Sequence, residues 1–443
     1  MIDPHAIADR VVEMIGDRAE AEVVVGAGVS ALTRFADSFI HQNVGNAYQD
    51  VSLRVAVDGR VASGAVDRSD DEGLMNLVDN TLEVAGLMPV DDQWPGLASP
   101  APAAEVEHWD DVTASASPEE RAAVVKAFVD AGQGYEAAGY CETAAGATAF
   151  ANTLGQRLSG RSTRATVDGI HRTATSAGSA HQTGPGLAAL DGAAAGKLAA
   201  DRARRGMDAY DIKPGEYEVV LGPEAVATMA IFLAFYGFNA KQVLEGQSFV
   251  DLGAQQFDGA LSIWDDPLAE GGLGIPFDTE GTPRVPLDLI RDGVTMGITH
   301  DRRTAARLGG ESTGHAFPGS ALYGPIAASL VIDAGDDPVE HLIADVDRGI
   351  YVATFNYCRV LDPKSQVVTG LTRNGTFMIE NGRMTGAVTN MRFTQSFVEA
   401  FGPGRVLGVA DDLRFADCEF GAGMVQAPTM RLAGFNFTGG ADG

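Results

Sequence analysis

Gly310-Glu311-Ser312-Thr313-Gly314 has the Gly-x-Ser-x-Gly spacing of a nucleophile elbow, and His315 follows directly. In that device a strand delivers the serine into a sharp turn and a helix follows, which exposes the hydroxyl for attack on an acyl carbon. Here the preceding residues 301–309 (DRRTAARLG) read as helical, and residues 315–320 (HAFPGS) are unsuited to starting a helix. A histidine next in sequence does not help, because triad partners meet in space. Ser312, Thr313, Gly314 and His315 are therefore expected to form a structural or substrate-lining loop. The alternative is a self-contained hydrolase using Ser312 or an unrecognised metal site.

Asp265, Asp266, Asp278 and Glu280 form an acidic series that could do acid–base work or bind a hard cation. The prolines and glycines around them favour turns and caps, and a substrate-facing position is the functional reading. The eight histidines, His5, His41, His108, His171, His181, His300, His315 and His341, include no i, i+4 or i, i+5 pair on one helix. A metalloprotease helix needs such a pair to aim two imidazoles at one zinc. Cys141, Cys358 and Cys418 are odd in number and far apart, with no Cys-x-x-Cys pair. No disulfide framework and no metal ligand are expected in this chain. Gly26 to Ala31 matches Gly-x-Gly-x-x-Ala, but an antiparallel hairpin follows where a dinucleotide site needs a βαβ unit. A glycine turn between two strands is expected there.

These residues need elements to position them. Asp3 and Pro4 start a helix that Gly16 ends. A strand at residues 22–25 precedes a hairpin over residues 51–66 turned by Asp58-Gly59, and residues 70–86 form a second helix. Residues 89–117, rich in Pro, Ala and Asp, read as a linker or surface loop. Ser117, Pro118 and Glu120 open a helix with a capping box, running to about residue 138. Short strands follow around residues 140–143, 147–154 and 162–170, then an alanine-rich helix over residues 192–206. After Lys213-Pro214-Gly215 comes a strand, a Gly222-Pro223 turn and a helix apolar on nearly every face, hence buried. From about residue 245 short strands and turns dominate, with a hairpin at Asn381-Gly382. The division expected is residues 1–110, 111–213 and 214–443, in an α+β fold.

The 443 residues carry 32 basic and 60 acidic side chains, a net charge of −28. Such acidity leaves no basic stripe for nucleic acid. The longest apolar run, residues 225–238, is shorter than the roughly 20 residues that cross a bilayer. The first residues lack a signal-peptide pattern. A cytoplasmic protein with neither nucleic acid nor membrane as partner is expected.

Six stretches share an order: YEVVLGPEAVATM (217–229), EGQSFVDLGAQQF (245–257), WDDPLAEGGLGIPFDTEGTPRVPLDLIRDGV (264–294), ESTGHAF (311–317), NGTFMIENGRM (374–384) and APTMRLAGFNFTGG (427–440). Together they resemble the TldD/PmbA family of cytoplasmic metalloproteases. The resemblance implies an N-terminal α/β region followed by a β-rich C-terminal domain of the TldD/PmbA type. In the TldD kind of subunit, the helix after the "VVLGP" strand carries His-Glu-x-x-x-His. Here that helix has no histidine and only Glu224, so the chain looks like the PmbA (TldE) kind. The TldD kind also uses a cysteine near its C-terminus; Cys418 lies in that region but lacks the helix ligands. The resemblance thus implies a heterodimer in which a TldD-like catalytic subunit holds the zinc. This chain would help to form a chamber in which unfolded or short peptides are cleaved. A non-enzymatic peptide- or protein-binding regulator is a further alternative.

Overall fold

Asp3 caps the first helix, Pro4–Ile15, by accepting the His5 amide at 3.0 Å, and Gly16 ends it at φ 56°. The computed structural model describes residues 3–440 of the chain. Asp70 caps the helix Asp71–Leu87, and Ser117 with Glu120 forms the expected capping box on Pro118–Ala131. Asp58 and Gly59 both take positive φ and turn the expected hairpin between Phe39–Val57 and Arg60–Val66.

Strands outrun their local signals. Glu20–Ala36 is a continuous strand of 17 residues. Gly26 to Ala31 lies inside it, so this run is not the turn its glycines suggest. Those glycines make room instead. A Cβ on Gly28 would stand 2.5 Å from the Ala145 carbonyl oxygen and 2.6 Å from the Tyr48 hydroxyl. The helix expected to reach residue 138 stops at Ala131, and the next strand, Glu136–Asn152, begins soon after. A third strand, Ala177–Gly184, follows Arg157–Arg172 where no strand is legible.

These six strands form one antiparallel sheet in the order Arg60–Val66, Phe39–Val57, Glu20–Ala36, Glu136–Asn152, Arg157–Arg172, Ala177–Gly184. Successive side chains alternate between its faces. Val23, Val25, Leu53, Phe35, Cys141 and Val167 pack beneath the four helices, including Gly192–Arg205. Phe150 and Leu158 face the other way and pack on Phe277 of the C-terminal half.

The stretch at residues 89–117 is a fastened strap with one short helix, Asp111–Ala114. His108 is buried, its ring nitrogens 2.7 Å from the Gly274 carbonyl and 2.9 Å from the Ala269 carbonyl. Arg302 donates to the carbonyls of Gly96 and Leu97 at 3.2 and 2.7 Å. The division at residues 110 and 111 falls inside this strap, and strands on its two sides share the sheet.

In the C-terminal half the strand Gly215–Leu221, the turn at Gly222 and the helix Pro223–Tyr236 follow as the sequence indicates. All residues from Pro223 to Ala234 are buried. The helix packs on Arg348–Asp362, Arg414–Cys418 and Gly421–Ala427. A seven-stranded sheet runs from Arg348–Asp362 through Gly215–Leu221, Met430–Gly440, Met391–Ser396 and Val367–Glu380 to Arg383–Ala387, with Val406–Val409 also paired to Met430–Gly440. Direct pairing of Arg348–Asp362 with Val367–Glu380 closes it on itself. Asn381-Gly382 turns the expected hairpin. A second, six-stranded sheet of shorter strands holds Ile263–Asp265, Leu330–Ile332 and Arg414–Cys418. Among the described residues no helix is long and apolar enough to cross a membrane.

Candidate functional site

Asp265 ends a short strand and is completely buried. One of its oxygens accepts from Arg284 at 2.8 Å and from His315 Nε2 at 3.1 Å; the other accepts the Ser329 amide at 2.7 Å. Burial alone would raise its pKa, but the Arg284 charge and the His315 hydrogen bond outweigh it and hold the carboxyl at about 2. The other ring nitrogen of His315 lies 2.8 Å from the Thr313 hydroxyl. Gly314 takes φ 75° against Pro283 and Arg284, a conformation that suits glycine. Ser312 donates to the His300 carbonyl at 3.2 Å and has no strand before it, so the elbow geometry is missing.

Asp278 and Glu280 lie in the same buried region. Asp278 accepts the amides of Glu280, Thr282 and Ala316 at 2.9–3.0 Å. Burial, then the charge of Glu280, pushes its carboxyl up to about 7 despite these donors. Glu280 accepts from Arg54 at 3.0 Å and from the Arg302 amide at 2.8 Å. Arg54 also holds Glu22, at 2.6 Å, so this chain of charges joins the first sheet to the C-terminal half. Asp266 is partly buried and accepts the Leu268 amide at 3.0 Å, closing a turn across Pro267. Both oxygens of Asp265, Asp278 and Glu280 are engaged within the chain, which makes this cluster a fastening between the halves.

The helix Pro223–Tyr236 carries no histidine and a single acid. Glu224, in its first turn, is buried, and Arg414 lies 2.7 Å from its carboxylate. Burial would raise the Glu224 pKa, but Arg414 and the buried Arg202 outweigh it and lower it. The Arg414 ion pair and the charge of Arg202 thus offset the one acid on the helix, while neither Glu224 oxygen has a hydrogen-bond partner. Cys418 is buried, its Sγ 3.1 Å from the Gly421 carbonyl, and burial pushes its thiol up to about 12. A protonated thiol and an arginine-paired carboxylate, with no imidazole on the helix, do not fit a zinc ion.

A cavity of about 1040 Å³ opens between the two halves. Its wall includes Asp168, Arg172 and Ser179 from the first sheet, and Asn356, Arg373 and Asp417 from the C-terminal half. None of Ser312, Thr313, Gly314, His315, Asp265, Asp266, Asp278 and Glu280 lines it. Next to Asp168 stands His181, its Nδ1 at 3.3 Å from the Asp168 carboxylate, and Asp417 is close to both. Sequence reasoning missed this trio, because it looked for histidines spaced along one helix. The available signal was the strand register that sets Asp168 opposite His181.

The helix Pro223–Tyr236, at the heart of the C-terminal core, thus carries no pair of zinc ligands. Residues 214–439, more than half of the chain, match the family model described as the PmbA/TldA metallopeptidase C-terminal domain. The chain belongs to the PmbA/TldD family. A metalloprotease of Methanothermobacter thermautotrophicus is 25% identical over 224 residues, 49% of this chain and 48% of that one. A metalloprotease of Synechocystis sp. is 31% identical over 160 residues, 34% of each chain. The matched stretches span about half or less of these relatives' length. TldE from Thermococcus kodakarensis shares the fold, with a TM-score of 0.87 at 18% identity over 97% of this chain and 98% of that chain.

Proposed function

We propose that this chain is the TldE-like, non-catalytic half of a two-chain cytoplasmic zinc metallopeptidase. Its partner is a TldD-like subunit that holds the zinc, and the pair cleaves unfolded or short peptides. The observation that carries this reading is the first turn of Pro223–Tyr236. There the only acid is paired with Arg414, and the helix offers no imidazole.

What remains for the chain is to bind and orient substrate. The cavity wall presents donors from Arg172, Arg373 and Asn374 and acceptors from Asp211 and Asn356. Such a mixed polar wall suits an extended peptide, whose backbone offers both N–H and C=O groups along its length. The net charge of −28 leaves direct DNA binding disfavoured. Co-expression with a TldD-like chain, followed by size-exclusion chromatography with light scattering, tests the pairing. A one-to-one complex is expected. Separate elution of the two chains at micromolar concentration overturns it.

A further inference from the structure

Tyr140, Asp168 and His181 form a row across three neighbouring strands. Tyr140 pairs with Asp168, and Asp168 pairs with His181. Directly opposed residues in a sheet share a face. Their neighbours Cys141, Val167 and Ala180 pack beneath the helices, so the row stands on the opposite face, toward the C-terminal half. Asp417, on Arg414–Cys418, meets the row from across the cavity. One donor atom from each of Asp168, His181 and Asp417 lies within 4.8 Å of the other two.

The imidazole supplies the second observation. His181 is 6% exposed; its Nδ1 faces Asp168 at 3.3 Å, and its Nε2 is buried with no hydrogen-bond partner, so only one of its two ring nitrogens is engaged within the chain. A buried polar nitrogen left unpaired costs about 1–3 kcal/mol unless something binds it. The two carboxylates, by contrast, reach the cavity. Burial pushes the Asp417 carboxyl up, His181 works against that rise, and the charge of Asp168 adds to it. Tyr140 is pushed up to about 12, first by burial and then by these two acids, so its hydroxyl keeps its proton.

We propose that Asp168, His181 and Asp417 bind one divalent transition cation, Zn²⁺ or Mn²⁺, with its remaining positions open to the cavity. One imidazole and two carboxylates are a borderline-to-hard donor set, which suits these ions better than a soft one. The two negative charges offset the charge of the ion. The donor atoms need to close by a fraction of their present separation to reach bonding distance, and two of them sit on cavity-facing side chains. The site lies on this chain's own residues and does not depend on the pairing proposed above. It departs from the sequence expectation of a chain without metal ligands.

The test uses the full chain alone, stripped with a chelator and titrated separately with Zn²⁺, Mn²⁺ and Mg²⁺ by calorimetry. One equivalent of Zn²⁺ or Mn²⁺ is expected to bind, and metal analysis after dialysis should return the same stoichiometry. His181→Ala and Asp417→Asn should each weaken binding at least about 10-fold. Asp168→Asn, nearly isosteric and at the cavity wall, keeps the test decisive should His181→Ala fail to fold. Cys418→Ser and His5→Ala should bind as the wild type does. Absence of stoichiometric Zn²⁺ or Mn²⁺ binding overturns the proposal, as does binding that Asp168→Asn and Asp417→Asn leave unchanged. Failure here leaves the two-chain peptidase reading standing, since that reading rests on Glu224 and its arginines.

Discussion

Arg414 lies 2.7 Å from Glu224, at the start of the helix on which the C-terminal core is built. The pair places a fixed positive charge where a metal-binding helix would need to accept a cation. Removing Arg414 leaves a buried carboxylate with Arg202 as its remaining partner. Arg414→Ala should cost about 2 kcal/mol, below the range for a fully broken buried pair because Arg202 remains. Because the Glu224 pKa is lowered, this contribution is present above its ordinary value and is lost as pH falls. Urea denaturation of both proteins at neutral and acidic pH checks the sign: the gap between them should narrow in acid.

Ser312 and Asp265 should behave oppositely. Ser312→Ala loses a hydrogen bond to the His300 carbonyl and one from the Gly314 amide, both long, and should cost about 1 kcal/mol, with peptide cleavage by the complex unchanged. Asp265→Ala strands Arg284 and His315 and should cost about 3–5 kcal/mol. Its pKa of about 2 means the stabilisation holds above pH 4 and fades as pH falls toward 2. Loss of all activity in a well-folded Ser312→Ala complex would instead support the serine-hydrolase alternative.

Glu22 gives the reverse pH sign. Burial raises its pKa from 4.5 to about 7; Arg54 works against that rise, and Glu280 adds to it. The folded chain therefore keeps a proton that the unfolded chain has lost between these values. Stability from this site should fall as pH rises from about 4.5 to 7. Its Oε2 has no hydrogen-bond partner, so Glu22→Gln keeps the shape and removes the titration. Denaturation midpoints at several pH values should show a flatter profile for Glu22→Gln than for the wild type over that interval.

Two glycines separate packing from any nucleotide role. A Cβ on Gly28 meets the Ala145 backbone as well as Tyr48, whereas at Gly146 its close neighbour is the Tyr48 hydroxyl, the end of a side chain that can move. Gly28→Ala should lower the melting temperature more than Gly146→Ala, and NAD should shift neither. Overpacking of this kind costs about 1–3 kcal/mol.

Local chemistry made much of the fold legible. Capping residues such as Asp3 and Ser117, and turn pairs such as Asp58-Gly59 and Asn381-Gly382, act within a few residues, so their signals are complete in sequence. The 17-residue strand Glu20–Ala36 was legible only at its apolar start. Its later residues owe their conformation to pairing with Phe39–Val57 and Glu136–Asn152, which lie far along the chain. The site was less legible for the same reason. Asp168 and His181 are 13 positions apart and meet through register, while Asp417 arrives from another sheet. The strap at residues 89–117 has the composition of a loop, and its order comes from partners such as Arg302 and Gly274 that the composition does not reveal. By contrast the absence of imidazole from Pro223–Tyr236 needed no structure, and the arginine pairing of Glu224 gives it a physical reason.

The most direct test of the two-chain account is cleavage of an unstructured fluorogenic peptide. It is measured with this chain alone, with a TldD-like partner alone, and with both, each with and without a zinc chelator. The account predicts little or no cleavage by this chain, strong cleavage by the mixture, and loss of that cleavage with chelator. Turnover by this chain alone that survives chelation would contradict it.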